Sequence, residues 1–462
     1  MPIMNAGGES IHSSIMTGPT TIPKVFDLYG AYRLGSYLAI WTSYLVFMAA
    51  NAPRGVDWLS WHVQRIYNAV QYVKVNGYFS SYGFSIWSSC QDCGLSMSEW
   101  ADKIYLSGSV FKLLPYLFIN EFGGLEALKM YGPLIDRLVI FIAAAVAAEL
   151  IIICVNKYSS LPVYFVGVVS FVLFVTSPWT YRMLLSSWAE IYFLAFFLLG
   201  LLHFAHDRTK TGLTMLFLAG FFHYQWALAV AGLYSLLFLG SRYFVRDWHA
   251  KQYLPSYGRT VGGMLAIGLV MVVTVPFDAA LRWLTIQNME SVTGSSLLFR
   301  IGISGDDIHN GGLLGALQFL GGNRVTLCLA DYGSGVLSNS LTDGITRYNC
   351  FLSIGGMVLM SLFAIVGLII LLKRSVAAKW IVFPLIYALM LFITILQQSL
   401  SVHLMGYSYI FSFLFAAGMV SLMVFFARFI GSATLKVVLS IPCVLGIVFL
   451  SIKVSMLTGA NG

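Results

Sequence analysis

Residues 138–154 read Leu138-Val-Ile-Phe-Ile-Ala-Ala-Ala-Val-Ala-Ala-Glu149-Leu-Ile-Ile-Ile-Cys154. The run is almost free of charge and too long for a strand, and its apolar residues do not follow amphipathic spacing. A helix of roughly 20 such residues crosses a bilayer, or somewhat fewer where neighbouring helices cover its ends. The pattern recurs at Val163–Thr176, Ile191–Leu202, Met264–Val275, Ile354–Leu372, Trp380–Leu396, Tyr409–Phe426 and Val437–Ile452.

Working outward from these runs, the whole chain agrees with them. Of its 462 residues 58% are hydrophobic and only 10% charged, and mean hydropathy is +0.81. Soluble domains carry about 25% charged residues, so a surface made from this chain would not keep it in water. The class expected is an all-α polytopic membrane protein, a single integral membrane domain. Spans are expected near 34–50, 134–155, 161–177, 188–205, 211–222, 225–241, 260–277, 350–372, 380–397, 404–427 and 435–455, about eleven in all.

The net charge of +8 would suggest nucleic acid in a soluble protein. Here it is an orientation signal, and no nucleic-acid partner is expected. Lys157, Arg208, Lys210, Arg242, Arg246, Lys251, Arg259, Lys373, Arg374, Lys379, Arg428 and Lys436 all fall in short turns on one side, as the positive-inside rule requires. Among the acids only Glu9, Asp27, Asp207 and Asp247 fall on that side, and nearly all the rest lie in outward loops. The N-terminus, to about Arg33, lacks the pattern of a removable signal peptide and reads as a cytoplasmic tail. The C-terminus then lies outside.

Two outward loops are long, 51–133 and 278–349, and loops beyond about 15 residues usually carry structure or function of their own. Ile104–Ile119 is apolar enough to suggest a span, but Lys112 and Pro115 favour an amphipathic helix at the interface. Short outward turns are expected at 177–187 and 397–403. Cys154 and Cys443 sit in expected spans, and Cys90, Cys93, Cys328 and Cys350 in the long loops. Pairing within each loop is open to the latter four in an oxidising compartment. Cys90 and Cys93 also have the spacing of half a metal site, but no second pair completes one. Asp306, Asp307 and His309 lie too close together among glycines to form a metal set. Neither a metal nor a cofactor is expected.

The polar residues that can carry chemistry begin just after the first span, in Asn51-Ala-Pro-Arg-Gly-Val-Asp57-Trp-Leu-Ser-Trp-His62-Val-Gln-Arg65. On a helix Asp57, Trp61 and Arg65 share one stripe. A carboxylate can take a proton from an attacking hydroxyl, while a cation two turns away holds a phosphate. The plainer reading is an acid at a helix N-terminus and an arginine among headgroups. Arg182 and Glu190 flank the outer end of the fourth span, either as a helix-fixing pair or as site residues. His62 and His223 are further candidates, the latter in a short turn amid apolar sequence. His403 and Lys74 are outward cations able to meet a phosphate.

Taken together, the order of these features resembles the membrane-embedded GT-C glycosyltransferases. Those enzymes take sugar from a polyprenyl-phosphate carrier and act on the outer or lumenal side. Asp57 stands where the family has an acid after the first span, although several branches carry a double acid and here Trp58 follows. Residues 58–73 and 104–119 resemble the two interfacial helices of the family's first loop, and Gly77-Tyr78-Phe79 its glycine-aromatic turn. Leu113-Leu114-Pro115-Tyr116 and Tyr131-Gly132-Pro133-Leu134-Ile135-Asp136 resemble the approach to the second span. Ser187-Trp188-Ala189-Glu190-Ile191-Tyr192 resembles the start of the fourth.

The resemblance implies Asp57 as general base, a donor phosphate near Arg65, His403 or Lys74, and inversion at the anomeric carbon. It further implies a glycan or lipid-linked acceptor. Neither long loop contains an Asn-x-Ser/Thr sequon, which favours a bacterial inner membrane and an envelope glycan such as O-antigen or lipopolysaccharide. Two alternatives stay open: an O-antigen-type polymerase or ligase using pyrophosphate-linked saccharides, and a transporter or flippase. The latter class often shows internal repeats, and none stands out here.

A phosphatase reporter, active only outside the cytoplasm, is expected to be active when fused after Asp307 and silent after Lys157 or Arg374. The opposite pattern would invert the orientation.

Overall fold

A computed structural model describes residues 28–51, 70, 110–185, 190–206, 208–222, 341–375, 377–379, 381–382, 385–386 and 408–459. The described residues are helical, with turns and no strand. Their principal helices are α1 (Leu28–Asn51), α2 (Val110–Val155), α3 (Val163–Val175), α4 (Pro178–Leu185) and α5 (Glu190–Ala205). They continue with α6 (Thr209–Phe222), α7 (Leu341–Arg374), α8 (Ser408–Ala427) and α9 (Ala433–Gly459).

Among the described residues three stretches are long and apolar enough to cross a membrane: Glu126–Val155 in α2, Ile410–Ala427 in α8 and Ala433–Ile452 in α9. They fall on the expected spans 134–155, 404–427 and 435–455. Val163–Val175, Ile191–Ala205 and Lys210–Ala219 are shorter apolar helices at three further expected positions. At 1.5 Å per residue α3 rises only about 20 Å, short of a full hydrocarbon core. The expected spans at 225–241 and 260–277, and most of 380–397, lie outside the described residues.

Several boundaries differ from the sequence reading. The first outward loop was expected to extend to residue 133, but α2 is already helical from Val110 and changes direction at Gly124 (φ 68°, ψ −169°). That backbone conformation is open essentially to glycine alone. The segment before it covers part of the expected interfacial helix at 104–119. Tyr116 and Asn120 form its buried face, whereas Phe118 and Phe122 are exposed with ring centres 4.6 Å apart.

The turn expected at 177–187 contains a short buried helix, α4. Ser177 caps it by accepting the Thr180 backbone N–H at 3.2 Å, and Pro178 occupies the first helical position, where its missing N–H costs nothing. The Ser177, Thr180 and Ser412 hydroxyls lie 2.8–3.0 Å from one another, joining α4 to α8. Trp179 packs between Phe411 and Phe415 on the same helix. α7 begins at Leu341, ahead of the expected 350, so Cys350 stands in a helix; its expected partner Cys328 lies outside the described residues. Cys154 and Cys443 are unpaired thiols.

Two contacts hold the bundle at its closest approaches. Where α7 crosses α8, a Cβ on Gly367 would strike the Gly418 carbonyl, and one on Gly418 would strike the Ala364 carbonyl. Where α5 meets α6, a Cβ on Gly200 would meet the Leu216 side chain at 2.9 Å, and one on Gly212 the Phe204 ring at 2.6 Å. Lipid tails are as apolar as leucine, so helices in a bilayer associate through close packing of small residues, as at these crossings.

Gly418→Leu is therefore expected to lower stability by at least about 2 kcal/mol, read as the thermal midpoint in detergent. Gly446→Ala in α9, where a Cβ meets nothing within 4 Å, should leave that midpoint unchanged or slightly raised. Equal behaviour of the two variants would refute the crossing.

Candidate functional site

Tyr116, Asp136 and Tyr192, one from each of the Leu113–Tyr116, Tyr131–Asp136 and Ser187–Tyr192 stretches, come together around one carboxylate. Tyr116 Oη donates to Asp136 Oδ1 at 2.5 Å, and Tyr192 Oη donates to the same oxygen at 2.9 Å. The two phenol oxygens are 3.3 Å apart. Asp136 is 6% exposed, Tyr116 2% and Tyr192 5%.

The local sequence explains how this cluster forms. Gly132 lies one turn before Asp136 on the same face of α2, and the Tyr116 ring lies over it. A Cβ there would stand 3.2 and 3.3 Å from Cδ1 and Cε1 of that ring. The chain reversal at Gly124 folds the Tyr116 segment back onto the helix that carries Asp136. Tyr192 is in the first turn of α5, whose apolar run buries Phe193 and Phe197 as a stacked pair with ring centres 5.5 Å apart. A carboxylate in apolar surroundings is costly unless it accepts hydrogen bonds, and two phenols donate to its Oδ1. At this burial Asp136 is shielded from any acceptor sugar. Its chemistry is to fasten the segment before Gly124 and the start of α5 to α2.

A second polar cluster involves the same helix. Glu149 lies 13 positions after Asp136, about 20 Å further along α2. Arg33 of α1 donates to it in bidentate fashion, Nε to Oε1 at 3.0 Å and Nη2 to Oε2 at 3.1 Å. Tyr37 Oη donates to Oε1 at 3.2 Å, and its ring stacks on Phe171 of α3 at 4.7 Å. Ser36 and Tyr164 add a hydroxyl contact of 2.5 Å between α1 and α3. Glu149 and Arg33 are thus paired with each other, in the form expected of a structural lock.

The residues singled out from sequence fare unevenly. Asp57, His62, Arg65, Lys74, His223 and His403 lie outside the described residues. Arg182 falls on α4, and Glu190 is the first residue of α5; neither side chain is among those described. The two residues expected to flank the fourth span thus stand on two consecutive helices. Asp136, Tyr116 and Tyr192 were present in the quoted motifs, but only as signs of resemblance. Glu149 and Arg33 were not singled out at all. A lone acid inside an apolar run is the signal that would have found Glu149.

Tyr192→Phe and Tyr116→Phe are each expected to cost about 1–2 kcal/mol of stability. The double variant should exceed the sum, because both phenols serve one oxygen and each single variant leaves the other donor in place. Denaturant titration in mixed micelles measures this, and strict additivity would argue against the shared acceptor. In comparison with known proteins, no family model, no curated protein and no solved structure matches this chain.

Proposed function

We propose that this chain is a membrane glycosyltransferase of the GT-C type. It would move a monosaccharide from a polyprenyl-phosphate carrier to an envelope glycan or a lipid-linked acceptor on the periplasmic side of an inner membrane. The observation that carries the reading is the convergence of three separately recognised stretches on Asp136, at 2.5 and 2.9 Å from two tyrosines. One residue from each of these stretches, which resemble one family in sequence order, meets the others in space. Supporting it are the apolar spanning helices and the acid Asp57 directly after the first of the expected spans.

In this reading the Asp57 carboxylate takes the proton from the acceptor hydroxyl as its oxygen attacks the anomeric carbon from the side opposite the phosphate. The bond from that carbon to the phosphate oxygen breaks, and the carrier phosphate keeps the electron pair. The leaving group is an already acidic phosphate, so no general acid is required, and cations suffice to stabilise the charge that develops on it. Arg65, His403 and Lys74 are assigned to that phosphate, with His62, Arg182, Glu190 and His223 as further site residues. The Asp136 latch would fix the segment before Gly124 against α2 and α5.

The test is transfer from radiolabelled polyprenyl-phosphate hexoses in the presence of a membrane lipid extract. Asp57→Asn is expected to lower turnover by about 10²- to 10⁴-fold at unchanged expression. Full activity in that variant would sink the assignment of the base. Consumption of pyrophosphate-linked saccharides, with no turnover of monophosphate carriers, would move the chain to the polymerase or ligase class.

A further inference from the structure

At the end of α2 remote from Asp136, three segments distant in sequence meet: the turn after α2, the last turn of α7 and the turn between α8 and α9. Arg428, one residue past α8, donates from Nε and Nη2 to the Tyr158 carbonyl at 2.8 and 2.6 Å. Its guanidinium also lies 5.3 Å from the centre of the Tyr158 ring. The Tyr158 hydroxyl is 3.0 Å from Ser421 Oγ on α8. Burial pushes this phenol up to about 12, so the ring under the guanidinium stays neutral at any ordinary pH. Arg374, in the last turn of α7, holds its guanidinium 5.0 Å from the centre of the Phe425 ring.

Cations at helix C-termini answer the partial negative charge there, and that accounts for one basic residue at each end. It leaves other features of this corner without a reason. Both arginines are exposed, as are Lys157 and Lys373, and no carboxylate among the described residues pairs with Arg374 or Arg428. A guanidinium has five N–H donors. Arg428 uses two on the Tyr158 carbonyl, and no acceptor among the described residues takes those of Arg374. The opposite arrangement holds at Arg33, where a carboxylate takes the guanidinium in bidentate fashion. Phe426 and Phe429, 59% and 75% exposed, pack on the Phe425 ring that Arg374 covers, and Leu435, 47% exposed, follows the same turn at the start of α9.

Two guanidiniums held on aromatic rings, with unmet donors and an apolar skirt, form a receptor for a phosphate that carries hydrocarbon chains. We propose that this corner binds the headgroup of an anionic phospholipid. Arg374 and Arg428 take the phosphate oxygens, and Phe426, Phe429 and Leu435 lie along the acyl chains. The site stands whether or not the chain transfers sugar.

Native mass spectrometry of the full-length protein in a non-ionic detergent tests it, with phosphatidylglycerol and phosphatidylcholine titrated in parallel. Tighter binding of phosphatidylglycerol is expected. Arg374→Gln leaves the Arg428–Tyr158 bonds in place and should weaken that binding about fivefold, with Arg374→Gln/Arg428→Gln weakening it about twenty-five-fold. Phosphatidylcholine binding should not change in either. Equal phosphatidylglycerol affinity in the parent and Arg374→Gln overturns the site. Displacement of the lipid by millimolar inorganic phosphate would overturn its lipid character in favour of a soluble anion.

Discussion

Two carboxylates on one apolar helix, Asp136 and Glu149, must each be satisfied from within the protein, and much of the described arrangement follows from that need. Asp136 is 6% exposed and the Glu149 side chain 17%, both amid apolar sequence, and an unpaired acid so poorly solvated costs several kcal/mol. Glu149 draws Arg33 and Tyr37 of α1 to one part of α2. Asp136 draws Tyr192 of α5, and Tyr116 from the segment folded back at Gly124, to another. α2 thus serves as a post to which α1, α5 and its own leading segment are tied at two heights. Oily packing alone would let these helices slide or rotate against α2, because lipid offers the same contacts that they do. Directional bonds to fixed oxygens remove that freedom.

Away from α2 the bundle relies on shape. Gly367, Gly418 and Ala364 let α7 and α8 approach until backbone meets backbone, and Gly200 and Gly212 do the same for α5 and α6. The Ser177, Thr180 and Ser412 hydroxyls then fix α4 against α8. Their apolar environment makes each of these bonds hard to exchange for another. Small residues permit contact, and hydroxyls select its register.

The spans at 134–155, 404–427 and 435–455 were legible because a long charge-free run has few other readings. The helix at Pro178–Leu185 was not, although Ser177-Pro178 is a clear start signal. Eight residues are too few to show a period, and a turn was the economical choice between two apolar runs. Of the Asp136 cluster, sequence supplied the stretches but not the meeting. Tyr116 and Tyr192 stand 20 and 56 positions from Asp136, and no local pattern says which distant phenol a carboxylate will recruit. The early start of α2 was hidden for another reason. Glu121, Glu126 and Lys129 break the hydropathy there, although the backbone hydrogen bonds of a helix tolerate them where it leaves the apolar core.

The two ends of α2 also differ in what they leave available. Around Asp136 the described donors are two phenols from the protein itself, and the carboxylate is buried. At the other end Glu149 consumes Arg33, yet the neighbouring corner keeps Arg374 and Arg428 in place with no acid from the described residues. Since Arg428 is anchored by a backbone carbonyl and a ring, its position does not depend on a counter-charge. A cation fixed in this way keeps its charge free for a ligand, whereas one fixed by a carboxylate does not. Had the corner served only to staple α7 to α8, an acid on either helix would have done so with the arginines neutralised. The choice of aromatic and carbonyl partners is what turns a basic turn, read from sequence only as an orientation signal, into a surface that can hold an anion.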